Sequence, residues 1–82
     1  MLGNTPITPQ AAFGVVLRRL RHAAELSQET LALESGVQRN FISLIETGQS
    51  QPTIGTIFRL AAALGVKPSK MVTDAEKLID RS

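Results

Sequence analysis

Ser27 to Gly48 reads S-Q-E-T-L-A-L-E-S-G-V-Q-R-N-F-I-S-L-I-E-T-G, and this stretch predicts two short helices joined by a tight turn. Ser27 is a strong N-cap, since its hydroxyl can accept a backbone N–H of the first turn, and Leu26 and Leu31 flank it at hydrophobic-staple positions. Gly36 ends the first helix by supplying the left-handed backbone that a Cβ would penalise. Val37 then turns inward and the second helix begins. At about 100° per residue, Phe41, Ile42 and Ile45 fall on one arc of that helix and Arg39, Asn40 and Ser43 on the opposite one. Gln38 stands at its N-terminus and Leu44 on its flank. One face is therefore core, and the other is free to read a partner. Ala32 supplies the small side chain that two closely crossing helices need.

Outward from this pair the chain remains helical. Thr8 or Pro9 signals the start of a first helix running to about Ala24, with Phe13, Val16, Leu17 and Leu20 as its apolar stripe. Gly48 caps the second motif helix, and the loop Gln49, Ser50, Gln51, Pro52 leads to Thr53. Thr53 caps a fourth helix to Leu64, with Ile54, Ile57, Leu60, Ala61 and Leu64 directed inward, and Gly65 closes it. Pro68 suits the first turn of a last segment, 67–81, in which Thr73 and Glu76 have capping-box spacing. That segment reads either as one kinked helix or as two short ones. Residues 1–8 form a lead-in without periodicity, and 9–82 form a single domain. The expected fold is all-α, a bundle of about five short helices.

A chain of 82 residues has room for one domain with a small, mainly aliphatic core. Three Phe and no Trp or Tyr argue against base stacking on single-stranded nucleic acid. Without cysteine there is no disulfide framework and no thiolate zinc site. No run approaches the roughly 18 apolar residues of a membrane span, and the N-terminus lacks a basic segment followed by an apolar one, so the protein reads as cytoplasmic. A net charge of +2 is compatible with a nucleic-acid partner without establishing one. Arg18, Arg19 and Arg21 cluster on the first helix, and for Arg19 a solvated helix face is the simpler reading. His22 has no second histidine or cysteine, no Ser, His and Asp set has workable spacing, and no glycine-rich loop suggests nucleotide binding. The sequence predicts no enzyme, metal or cofactor.

Residues 13 to 66 resemble the Cro and phage-repressor family of helix-turn-helix proteins, the XRE type, with a lambda-repressor-like domain. The resemblance rests on L-R-R-L-R at 17–21, L-S-Q-E-T-L-A at 26–32, S-G-V at 35–37, F-I-S-L-I-E-T-G at 41–48 and P-T-I-G-T-I-F-R-L-A-A-A-L-G-V at 52–66. The family usually has glycine at the end of the first helix, where this chain has Glu25. Either Glu25 is left-handed or the helix ends differently.

The resemblance implies a transcriptional regulator that places the helix 38–47 in the major groove of double-stranded DNA. Gln38, Arg39, Asn40 and Ser43 are the candidate base contacts: Arg39 can pair bidentately with guanine, and Gln38 or Asn40 with adenine. The ordinary alternative is a set of polar residues on a wet helix face, with Arg39 on phosphate. Leu44 lies between a thymine-methyl contact and the core edge. By resemblance, Gln28 contacts the DNA backbone and braces the reading helix, and Arg18 pairs with Glu46 while also facing the backbone. Gln49, Ser50 and Gln51 offer amide and hydroxyl donors to a second phosphate, in a loop without Lys or Arg.

One reading head offers few base contacts, so a homodimer on a partly palindromic operator is the expected assembly, with Met71, Val72, Leu78 and Ile79 at its interface. The same four residues could instead pack on their own chain. Small stand-alone regulators such as restriction-modification controller proteins or phage and plasmid repressors are the nearest kind. An antitoxin that binds a toxin protein and autoregulates through DNA is the alternative, and a fold retained only for protein interaction is a third reading.

Overall fold

The computed structural model describes residues 7–81. Within them the chain forms α1 (Pro9–Ala23), α2 (Gln28–Ser35), α3 (Arg39–Glu46), α4 (Ile54–Leu64) and α5 (Pro68–Arg81), with no strand. Of the lead-in expected over 1–8, residues 1–6 lie outside the described residues.

The helix boundaries follow from local chemistry. Thr8 Oγ1 accepts the Ala11 N–H at 3.1 Å and Pro9 begins α1. Ser27 Oγ accepts the Thr30 N–H at 3.0 Å, and Thr53 Oγ1 accepts that of Thr56 at 3.2 Å. Each bond satisfies a donor that the first helical turn leaves open. At the C-terminal ends, Gly36 and Gly65 are left-handed, with φ of 74° and 72°. Glu25 resolves the open junction after α1: it takes φ 57°, a conformation that costs a side-chain-bearing residue roughly 1 kcal/mol. The expected helix 38–47 is shorter at both ends, because Gln38 is extended and Thr47 is the C-cap.

Two expectations are corrected. The last segment is one continuous helix, so Thr73 and Glu76 lie inside α5 and their spacing caps nothing. Ile54 is 69% exposed, because the core beneath α4 is reached only from its second turn on, where Leu60 and Ala61 are fully buried.

The core joins Ala12, Val16 and Leu17 of α1 to Leu31, Ile42, Ile45, Leu60 and Met71 from the other four helices. Helix α1 is central, packing against α3 on one side and α5 on the other. Gly14 permits the first of these contacts: a Cβ there would collide with the carbonyl oxygen of Ile45, so the backbones of α1 and α3 touch. Thus α3 lies directly on the longest helix, with its outer face uncovered.

Candidate nucleic-acid interface

Ile42 and Ile45 of α3 are fully buried, which fixes the rotation of the helix about its own axis. Gln38, Arg39 and Asn40 consequently face solvent at its N-terminal end, with Ser43 half-buried one turn further along. Among the described residues, the side chains of Gln38, Arg39 and Asn40 make no hydrogen bond or ion pair. They form a compact set of donors and acceptors with no internal partner. Leu44 is half-buried beside them.

The other end of α3 is tied down by charge. Arg21 donates from Nε to Glu46 Oε2 at 2.6 Å and from Nη2 to Glu46 Oε1 at 2.9 Å, a two-point fork. Its remaining nitrogen, Nη1, donates to the Leu26 carbonyl at 2.9 Å. Gln28 Nε2 donates to Glu46 Oε1 at 3.1 Å. One carboxylate therefore holds the first, second and third helices together. Burial pushes the Glu46 carboxyl up, but hydrogen bonds from Arg21 and Gln28, with the charges of Arg21 and Arg18, outweigh it and hold the group below its usual range. The hydrogen bond to Glu46 raises Arg21 in turn, against the effect of its own burial.

The expected ion pair between Arg18 and Glu46 is thus corrected to Arg21 and Glu46. Arg21 lies about 60° around α1 from Arg18, on the core side next to Leu17, so its guanidinium is buried against Glu46 while Arg18 is exposed. Counting Arg21 against the stripe of Phe13, Leu17 and Leu20 would have favoured it from sequence.

The loop after α3 is closely fastened. The N–H groups of Gln49 and Ser50 both donate to the Leu44 carbonyl, at 2.8 and 3.2 Å. Gln10 Nε2, on α1, reaches across to the Gly48 carbonyl at 2.6 Å. Gln49 Nε2 donates to Thr47 Oγ1 at 2.9 Å, so part of its side chain is already engaged. Gln51 is exposed and Ser50 half-buried. Gln10 and Gly14 were not singled out in the sequence, because their roles depend on which helix crosses α1, and no local pattern records that.

The four residues expected at a dimer surface separate. Met71 is fully buried within its own chain, which removes it from any such surface. Leu78 and Ile79 are partly buried against the core. Val72 is 50% exposed and lies in a different company: with Ile57 it lines two adjoining hollows that also include Pro52, Ile54 and Phe58. Ile54 and Phe58 are themselves more than half exposed. Leu33 on α2 is a further exposed apolar residue, at 86%.

Residues 17–71 match the HTH_3 helix-turn-helix family. The chain belongs to this family. As an HTH_3 protein it is 37% identical over 59 residues to an uncharacterised HTH-type transcriptional regulator of Sinorhizobium fredii, covering 72% of this chain and 77% of the relative. It is 33% identical over 66 residues to the control protein C.MunI of a Mycoplasma species, covering 79% and 89%. The crystal structure of the restriction-modification controller protein C.AhdI from Aeromonas hydrophila superposes with a TM-score of 0.74 at 42% identity, covering 76% of this chain and 94% of that one. The HTH_3 match begins inside α1 and ends early in α5, so Gln10, Gly14 and most of α5 lie beyond it.

Proposed function

We propose that this HTH_3 protein is a sequence-specific transcriptional regulator that reads the major groove of double-stranded DNA with α3. The observation that carries the proposal is the unpartnered set Gln38, Arg39 and Asn40 at the N-terminal end of a helix that Arg21, Gln28 and Glu46 hold rigidly at its other end. An α-helix fits the major groove, and an arginine on guanine or an amide on adenine discriminates by about 1 to 3 kcal/mol each. Ser43 extends the reading face by one turn. Gln28, Arg18, Gln49, Ser50 and Gln51 set the register by contacting phosphates. With Glu46 holding one of its donors, Gln28 offers the rest of its amide to the DNA backbone.

The operator is read by a homodimer. Ile54, Phe58 and Val72 form the apolar face that a second copy covers, and two reading helices then meet half-sites about 34 Å apart. The similarity to C.MunI and C.AhdI supports a controller-type regulator. We infer that it acts in the cytoplasm, where such an operator lies. None of the described helices is long and apolar enough to cross a membrane.

The test is selection of bound duplexes from a random pool by the purified protein, followed by sequencing. A motif of two inverted half-sites is expected. Alanine at Arg39 or Asn40 relaxes preference at individual positions and leaves the melting temperature unchanged. A folded protein that enriches nothing at low salt would overturn the proposal.

A further inference from the structure

A second site lies on the opposite flank of α1 from α3. Gly14 and Arg21 face α3, whereas Val16 and Leu20 line a cleft of about 170 Å³ between α1 and α5. Leu78 completes its apolar lining, and Arg19, Lys77 and Arg81 stand at its rim with Asp74. The single carboxylate is engaged, since Asp74 accepts Lys70 Nζ at 3.1 Å one turn earlier on α5. None of Arg19, Lys77 and Arg81 has an ion-pair partner among the described residues. Of the other acids of this helix, Glu76 falls on its far side by helical spacing, and Asp80, three residues from Lys77, stands beside that cation without an ion pair to it. The cleft thus combines an apolar lining with three cations from two helices that have no ion-pair partner among the described residues, and with one carboxylate, Asp74, already paired to Lys70. Asp74, Lys77, Leu78 and Arg81 lie beyond the residues that match the HTH_3 family, so most of the cleft belongs to this chain's own α5.

We propose that this cleft binds a small organic anion, a carboxylate carried on a compact apolar body. The apolar part lies on Val16, Leu20 and Leu78, and the carboxylate is shared among Arg19, Lys77 and Arg81, whose hydrogen bonds to it are charge-assisted. The volume is below the ~300 Å³ at which pockets for drug-sized ligands begin, which selects a single-ring or short branched acid rather than a peptide or a nucleotide. An occupant joins α1, which holds the reading helix through Arg21, to α5, which carries Val72 of the exposed apolar face. The site is thereby an effector seat between the two surfaces that a dimeric regulator uses.

The experiment is titration of the intact, isotopically labelled protein with benzoate, followed by backbone amide NMR. Benzamide serves as the uncharged control and inorganic phosphate as the anion without an apolar body. Saturable shifts confined to residues around Val16, Leu20, Lys77 and Leu78 are expected with benzoate alone, and the double variant K77Q/R81Q weakens them about tenfold. Both substituted side chains are exposed, so the variant keeps its melting temperature. Equal shifts with benzamide, or shifts centred on Ile54 and Phe58, would reduce the effect to general apolar adsorption and overturn the proposal. Shifts with phosphate equal to those with benzoate would leave only an unspecific cationic patch and overturn it as well. DNA selection by the same protein is read separately, so failure of one proposal is distinguishable from failure of the other.

Discussion

Replacing Arg21 with alanine leaves the Glu46 carboxylate buried, with only Gln28 to donate to it. Stranding a buried charge costs more than the pair contributes when intact, so Arg21→Ala should destabilise by about 3 kcal/mol in urea unfolding. Arg18→Ala should cost far less, since Arg18 is exposed and acts on Glu46 only through its charge. The pH dependence has a definite sign. Glu46 is more acidic folded than unfolded, so its contribution is full above the unfolded value of about 4.3 and is lost as pH falls through the lower folded value. Unfolding free energies measured from pH 7 to pH 3 should therefore decline below about pH 4, and Glu46→Gln should flatten that decline while lowering stability at pH 7. An undiminished acid limb in the Gln variant would show that other carboxylates dominate it. This pair also marks a limit on reading a sequence. Arg21 lies nearer than Arg18 to the apolar stripe of α1, which favours it as the inward arginine, but that the group it meets is Glu46 depends on which side of α1 receives α3.

Helix ends were legible for the opposite reason. The caps at Ser27 and Thr53 and the left-handed turns at Gly36 and Gly65 involve residues within four positions of one another, so spacing alone predicts them. The outward set Gln38, Arg39 and Asn40 was legible too, because a helical period with Ile42 and Ile45 buried leaves it only one direction to face. Crossings between elements were not legible. Ala32 is the small residue that the motif's own spacing points to and it packs against the core, whereas Gly14, where a Cβ would meet the backbone of α3, is distinguished by no local pattern. Because a Cβ at Gly14 meets backbone rather than a movable side chain, Gly14→Ala must shift α3 bodily away from α1. Overpacking of this kind costs typically 1 to 3 kcal/mol. It should also tilt the reading helix, so DNA affinity should fall even at temperatures where circular dichroism reports a fully folded protein. Ala32→Gly, by contrast, should lower stability without loss of affinity beyond the unfolded fraction.

Across the whole molecule, a chain with a small core keeps Ile54, Phe58 and Val72 at least half exposed to water. An apolar face assembled from the start of α4 and the second turn of α5 is costly to leave hydrated, and in the proposed homodimer a second copy covers the same face on both partners and removes that cost. The proposed face differs from the one that periodicity alone suggested: Met71 serves the interior of its own chain, whereas Ile54 and Phe58 of α4 stand outward beside Val72. Phe58→Glu introduces a charge at this face on both partners at once, while leaving Leu60 and Ala61 beneath it undisturbed. Sedimentation equilibrium should then show a dimer for the parent chain and a monomer for the variant, with unchanged helicity. On DNA, the variant should still contact a single half-site through Gln38, Arg39 and Asn40, but should lose the strict spacing between two half-sites. A variant that remains dimeric would move the interface elsewhere, and the exposed Leu33 on α2 would then be the next residue to change.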